Sequence, residues 1–326
     1  MKSLSQVQLV KIGLALGAGY GLFARLCFGM KATGQVFAVM SSSFIFGVPV
    51  VLGFLTVWCG EYRAGYGWAR RIFMPWGSSL AFLGAALALV WEGIICIVIW
   101  LPLMLILSSL GGALAGLVRV WFPAGRERNY CAAFLALAPF IAAPLEHLRQ
   151  PTTEIRTVAT SIDIRAGRDT VWRQIRSVPA IRDDEQGFAL THLMGFPRPL
   201  EARLEGTGVG AVRNATFERG VLFVETITAW DDGRQLAFSI RADTAHIPPT
   251  TFDEHVTIGG PYFDVLSGTY ALEDLGNGMI RLHLASDQRL STRFNAYSHL
   301  WTEFLMADLQ NYILRIIKRR CESPAT

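Results

Sequence analysis

Glu225 stands within VLFVETITAW (221–230), which alternates like a half-buried strand and sets the carboxylate on one face with Val221, Phe223 and Ile227. Leu222, Val224, Thr226, Thr228 and Trp230 point the other way. A carboxylate on an apolar face costs several kcal/mol unless it is paired, so it requires Arg213, Arg241 or a ligand hydroxyl. Three roles fit: a polar anchor for a ligand head group, a general acid/base, or a structural ion pair at a sheet edge.

The other reactive residue types are arranged less informatively. Gly206-Thr207-Gly208-Val209-Gly210-Ala211 fits the loose dinucleotide pattern GxGxx[GA], but a phosphate loop needs a helix directly after it, and a strand-like run follows. A hairpin turn is expected there. The six histidines, at 147, 192, 246, 255, 283 and 299, form neither HExxH nor a pair at helical spacing. Asp253-Glu254-His255 offers metal-ligand types, yet neighbouring strand residues face opposite ways, so no metal is assigned. No GxSxG elbow and no Cys–His pairing supports nucleophilic catalysis. The five cysteines at 27, 59, 96, 131 and 321 give neither a disulfide framework nor a CxxC spacing, and no cofactor is implied. Asp243–Tyr262, with Pro248-Pro249 and Gly259-Gly260, reads as a lid with a glycine hinge or as an ordinary long loop. Lys318-Arg319-Arg320 reads as a solvated helix end or as a contact for anionic lipid heads.

The elements that must position these residues fall into two unlike halves. Of 326 residues 52% are hydrophobic and only 17% charged, more apolar than a usual soluble domain. Residues 1–150 hold 11 Lys/Arg against 4 Asp/Glu, whereas 151–326 hold 19 against 22, so the basic excess lies wholly in the first half. Placed in turns between apolar runs, that excess orients a chain in a membrane and argues against a nucleic-acid surface. Five runs are candidate spans, at about 7–29, 36–58, 74–91, 94–118 and 129–145, against the ~20 apolar residues that cross a hydrocarbon core. The fourth has no charge from Ile94 to Val118 and carries small residues, Ser108 to Gly116, for close helix approach. The fifth is short and contains Pro139 and Pro144, so it either crosses or lies in the interface. Glu92 is the one acid near the middle of the apolar region, and Trp91-Glu92-Gly93 reads as the turn between the third and fourth runs. With the N-terminus inside, eight Lys/Arg lie on the inner side and three outside. In a bacterium, five inner-membrane spans then make residues after 150 periplasmic, and four make them cytoplasmic.

After residue 150 the period changes from helix to strand. Strands are expected at 156–164, 200–206, 210–218, 221–230, 235–242, 263–274 and 279–289, with a short helix over 169–178 and a polar irregular stretch, RDDEQG (182–187). A long helix over 292–318 carries Tyr297, Leu300, Trp301, Phe304, Leu305, Leu309, Ile313, Ile316 and Ile317 at three-to-four spacing. The fold class is therefore an α-helical transmembrane bundle of about five spans (1–150) followed by an α+β domain (151–326) in which the helix lies across a curved antiparallel sheet.

SIDIRAGRDTVWRQI (161–175), GTGVGAVRNATFERGVLFVETITAWDDGRQLAFSI (206–240) and YSHLWTEFLMADLQNYILRIIKRR (297–320) together resemble the helix-grip fold of the START-like (SRPBCC) superfamily, which includes polyketide cyclases and lipid-transfer proteins. Ala166-Gly167 departs from the Ala-Pro that many members carry there. The resemblance implies a hydrophobic tunnel under the terminal helix, lined by Phe217, Phe223, Glu225, Phe238, Tyr262, Phe263, Tyr270, Tyr297, Trp301 and Phe304. The implied ligand is a membrane lipid or another hydrophobic small molecule, bound beside the bilayer. A cyclase- or dehydratase-like enzyme with Glu225 or His255 as acid/base, and a ligand sensor, are the alternatives.

Overall fold

The computed structural model describes residues 5–30, 36–61, 67–122, 126–243 and 257–323, with 126–128 as backbone only. The chain forms two compact units, Met1–Pro151 and Thr152–Thr326.

The first unit contains α1 (Gln6–Phe28), α2 (Val48–Gly60, entered through a π-turn at Ser43–Gly47), α3 (Trp68–Ala88), α4 (Ile94–Trp121) and α5 (Arg126–His147). Small residues let these helices touch. A Cβ on Gly13 or Gly17 would lie 2.4 Å from the Thr56 carbonyl oxygen or 2.0 Å from Thr56 Oγ1, and one on Gly53 would lie 1.9 Å from the Ser108 carbonyl oxygen. Thr56 and Ser78 share a 2.7 Å hydroxyl contact, and Ser78 Oγ donates to the Leu14 carbonyl, tying α1, α2 and α3 together. Outward faces carry large apolar side chains such as Phe23, Ile106, Leu110, Phe134 and Ile141.

Among the described residues four helices are long and apolar enough to cross a membrane: Gln6–Phe28, Ser43–Gly60, Ile94–Trp121 and Asn129–His147. The third expected run, 74–91, falls mostly within α3, which is not among them: this helix begins earlier, takes in Arg70 and Arg71, and ends at Ala88. The short, proline-bearing last run does qualify. The ion pairs lie at the helix ends. Arg71, in the first turn of α3, grips Glu61 just past α2 through two bonds of 2.8 and 3.1 Å, and Arg119 near the end of α4 donates to the Trp58 and Glu61 carbonyls. At the opposite end Arg25 meets Glu92 at 2.5 Å and the Trp91 carbonyl at 2.8 Å. Glu92 thus occupies the turn between α3 and α4. Glu146, in the last turn of α5, accepts from the Ser42 and Ser43 backbone N–H groups where α2 is entered.

In the second unit β1 (Glu154–Ile164), β2 (Pro199–Glu205), β3 (Val212–Phe217), β4 (Leu222–Asp231), β5 (Gln235–Asp243), β6 (Phe263–Gly276) and β7 (Met279–Leu290) form one antiparallel sheet in the order β1-β7-β6-β5-β4-β3-β2. All seven lie within a few residues of where the period-two pattern predicts, and the alternation of buried with wetter side chains is clearest along β7 and through much of β3, β4 and β5. Gly206, Gly208 and Gly210 have φ of +87°, +81° and +89°. The GxGxxA stretch is therefore a turn between β2 and β3 with no helix to receive a phosphate.

Helix α6 (Arg168–Arg176) buries Val171, Trp172 and Ile175, and the segment after it carries a short helix α7 (Leu190–Leu193). Helix α8 (Asn295–Glu322) packs on β1, β7 and α6. Its C-terminal half supplies the core through Tyr312, Leu314, Ile316 and Ile317, whereas Leu300 and Phe304 in the first half are 65% and 45% exposed. Of the expected apolar stripe, Leu305 in the first half is buried too, and Leu300 and Phe304 are the members left exposed. At 1.5 Å per residue α8 is about 42 Å long, and the spacing of its apolar residues does not record how far the sheet extends beneath it.

Candidate functional site

The concave face of the β2–β4 half of the sheet encloses a small cavity. Arg213 on β3 and Glu225 on β4 are directly opposed in the strand register and point inward with Tyr270 of β6. Ile313, Ile316 and Ile317 of α8 form the roof. Val178 and Ile181, between α6 and α7, close the side together with Pro199 and Ala202 of β2 and Ala215 and Phe217 of β3. The volume is about 70 Å³. That admits a few waters or a small polar group and lies well below the ~300–1,000 Å³ of a site enclosing a drug-sized ligand. In place of the hydrophobic tunnel expected under the helix there is in this conformation a small, partly open pocket.

Its polar floor is almost dry, with Arg213 3% and Glu225 6% exposed. Strand alternation forces both inward, and a buried charge is tolerated only with a partner. The guanidinium Nε pairs with the Glu225 carboxylate, and Nη1 donates to the Ile175 carbonyl at 2.5 Å. The same group lies 4.3 Å from the centre of the Phe238 ring and 5.6 Å from that of Tyr270. Burial pushes the Glu225 carboxyl above its ordinary range, and Arg213 pulls it back. Burial also pushes the Tyr270 hydroxyl up to about 12, so it stays a neutral phenol. The floor therefore offers a carboxylate acceptor and a phenolic O–H donor at the base of an apolar sleeve.

The expected site residues separate into groups. Phe217, Glu225 and Tyr270 line the cavity, and Phe238 backs the Arg213 guanidinium. Phe223 and Phe263 belong to a neighbouring cluster with Val221, Ile258 and Val265. Tyr262, Tyr297 and Trp301 are half-buried, Phe304 is exposed, and none of the four lines the cavity. The first half of α8 lies over the β1 and β7 side of the sheet, which explains the misplacement of its aromatics. The Arg213–Glu225 pair is internal, between strands that both have neighbours, and the expectation of an edge location is corrected. The small inward residues Ala202 and Ala215 leave the space that the cavity occupies, and only strand alternation pointed to them.

His246, the Asp253-Glu254-His255 triplet and most of the Asp243–Tyr262 stretch lie outside the described residues. Among the described residues no group of three His, Cys, Asp or Glu side chains could hold a metal. Arg320 is half-buried and Arg319 is exposed. They bind the 177–198 segment, Arg320 through Glu185 and Arg319 through the Asp184 carbonyl.

No family model matches the chain, and no curated protein matches it in sequence. Among solved structures it is similar to norcoclaurine synthase from Thalictrum flavum, with 16% identity and a TM-score of 0.31 over 52% of this chain and 97% of that one. It is likewise similar to a START superfamily protein from Mycobacterium smegmatis (10% identity, TM-score 0.33, 51% of this chain and 97% of that one). The Zhui aromatase/cyclase from Streptomyces sp. R1128 matches at 17% identity with a TM-score of 0.32, over 52% of this chain and 98% of that one.

Proposed function

We propose that this protein is a membrane-anchored binder of a hydrophobic ligand, most simply a lipid, which its second unit takes up and presents beside the bilayer. The observation that carries the reading is the charged, neutralised floor of Arg213 and Glu225 at the end of a sleeve made largely of apolar side chains. Such a site holds a molecule with an apolar body and one small polar end. The sleeve would contribute ~25 cal/mol per Å² of apolar surface removed from water, and the floor would fix orientation through Glu225 and the Tyr270 hydroxyl. No covalent step is required. Because 70 Å³ cannot hold an acyl chain, binding requires the cavity to widen.

Five bilayer crossings belong to the same proposal. Helix α3 starts beside the end of α2 and finishes beside the end of α1, and α5 ends where α2 is entered. In the first unit both helices thus run the same height as the three others. With the N-terminus on the positive-inside face, the second unit then lies on the far side, the periplasm of a bacterial inner membrane. Covalent attachment would keep the binding unit at high effective concentration near its lipid source.

A second reading is favoured by Glu225 itself, because burial shifts its carboxyl upward, the direction a general acid/base requires. One experiment separates the two. Full-length protein in nanodiscs is offered a fluorescent fatty acid, and uptake is compared for wild type, Ala215→Trp, which fills the cavity, and Glu225→Gln. The binder reading expects Ala215→Trp to abolish uptake and Glu225→Gln to weaken it. Uptake that ignores Ala215→Trp overturns the reading. Full uptake by Glu225→Gln with loss of a chemical conversion would favour the enzyme.

A further inference from the structure

We propose that segment 177–198, between α6 and β2, is the gate of the cavity, latched shut by Arg320 and Glu185. The inference rests on the binding role proposed above. Helix α8 packs on β1 and β7, so the opposite half of the concave face, where the cavity lies, takes its side wall from this segment through Val178 and Ile181. The segment fills the gap between the β2 edge and α8. Its displacement would widen the 70 Å³ pocket and its mouth without unpairing a strand of the main sheet.

The polar attachments of the segment run to its two sides, β2 and α8. Towards β2, Val178 and Ala202 exchange backbone bonds of 2.7 and 2.8 Å, and Ile181 N–H donates to the Leu200 carbonyl at 2.7 Å. Towards α8, Arg320 meets Glu185 through two bonds of 2.7 and 2.8 Å and also donates to the Pro179 and Ala180 carbonyls at 3.0 and 2.9 Å. Arg319 and Arg315 donate to the Asp184 and Phe188 carbonyls, and Asp308 accepts from the Thr191 N–H and hydroxyl. Val178, Ala189 and Met194 bury apolar surface, with Ile181 and Phe196 packed beside them, whereas Phe188 and Leu193 are 75% and 72% exposed. The segment lies outside the seven-stranded ladder, so its opening breaks local contacts and charge-assisted bonds and leaves the β-sheet core paired. Glu185 is 7% exposed and is the acid that Arg320 grips with both nitrogens, so it is the point at which the latch can be cut.

The test uses full-length protein in phosphatidylcholine nanodiscs, cis-parinaric acid as the fluorescent probe, stopped-flow uptake and release, and hydrogen exchange in parallel. The uptake signal is the part removed by Ala215→Trp. Cutting a charge-assisted latch with Glu185→Gln is expected to speed both uptake and release by on the order of tenfold to a hundredfold, with their ratio little changed. Amides of 178–191 should exchange faster by a similar factor while those of β4 to β6 keep their protection. Arg320→Lys, which keeps the charge and loses the fork, should shift both readouts less and in the same direction. Rates that ignore both variants, or exchange that rises evenly across the whole unit, would overturn the gate. Absence of Ala215→Trp-sensitive uptake by the wild type would instead overturn the binding role.

Discussion

Replacing Glu225 by Gln removes one charge of a pair in which neither partner is more than 6% exposed. Arg213 keeps its bond to the Ile175 carbonyl and its stacking on Phe238 but loses the carboxylate it pairs with, and Glu201, the other carboxylate lining the cavity, is bound to Arg203. Breaking one side of a buried ion pair leaves an uncompensated charge and costs about 3–5 kcal/mol. At ~1.4 kcal/mol per decade this is roughly two to three and a half orders of magnitude in a global opening constant. The assay is native-state hydrogen exchange on the full-length protein, read at the β4 and β5 ladder amides, whose slowest exchange reports opening of the second unit. The companion variant Arg213→Met/Glu225→Leu removes both charges and fills the space with carbon. It should recover the lost protection, since apolar replacement of a buried pair is neutral or stabilising by ~1–4 kcal/mol. A single variant within about fivefold of wild type would mean that the pair is solvated, and would refute the dry floor and the ligand site built on it.

Three further outcomes follow from the packing. A Cβ on Gly268 would lie 2.5 Å from the Phe238 ring, so Gly268→Ala should push that ring against Arg213 and destabilise the unit by ~1–3 kcal/mol, read in the same exchange experiment. In the first unit Glu61 is fully buried against Arg71. Glu61→Gln should lower the thermal midpoint of detergent-solubilised protein, and an unchanged midpoint would show the pair to be idle. Arg320 holds the Glu185 carboxyl down at about 2 from an ordinary value of 4.5. A depressed carboxyl contributes stability that is present above about 4.5 and lost as pH falls towards 2. Pepsin cleavage within 177–198 should therefore rise across that interval in the wild type, and Glu185→Gln should already be cut at its upper end.

The strands were legible because period two and the turn residues around them are local signals, and the inward alternation that buries Glu225 also names Arg213 as a partner on the adjacent strand. Side-chain direction along one strand can be counted from sequence. What lies across from it in three dimensions cannot, and the failures have that origin. RDDEQG reads as a polar irregular stretch and Lys318-Arg319-Arg320 as a charged helix end, yet Glu185 and Arg320 are a single latch across 135 residues of chain. Phe304 and Trp301 fit the helical stripe and miss the cavity, because the period of a helix does not say which part of a sheet it covers. Among the apolar runs, the third, 74–91, gave no sign that its helix begins at Trp68 and takes in Arg70 and Arg71, the latter held by Glu61. The cavity volume depends on the joint packing of α8, β2, β3 and the 177–198 segment, and no single stretch encodes it.

The most direct measurement of the central claim is native mass spectrometry of full-length protein released from its own membranes, beside the Ala215→Trp variant prepared identically. A hydrophobic molecule retained by the wild type at near one per chain, and absent from the cavity-filled variant, is the predicted result and would identify the ligand class. The same molecules on both proteins in equal amount would assign them to the helical unit, and would contradict a ligand site between β2, β3 and α8.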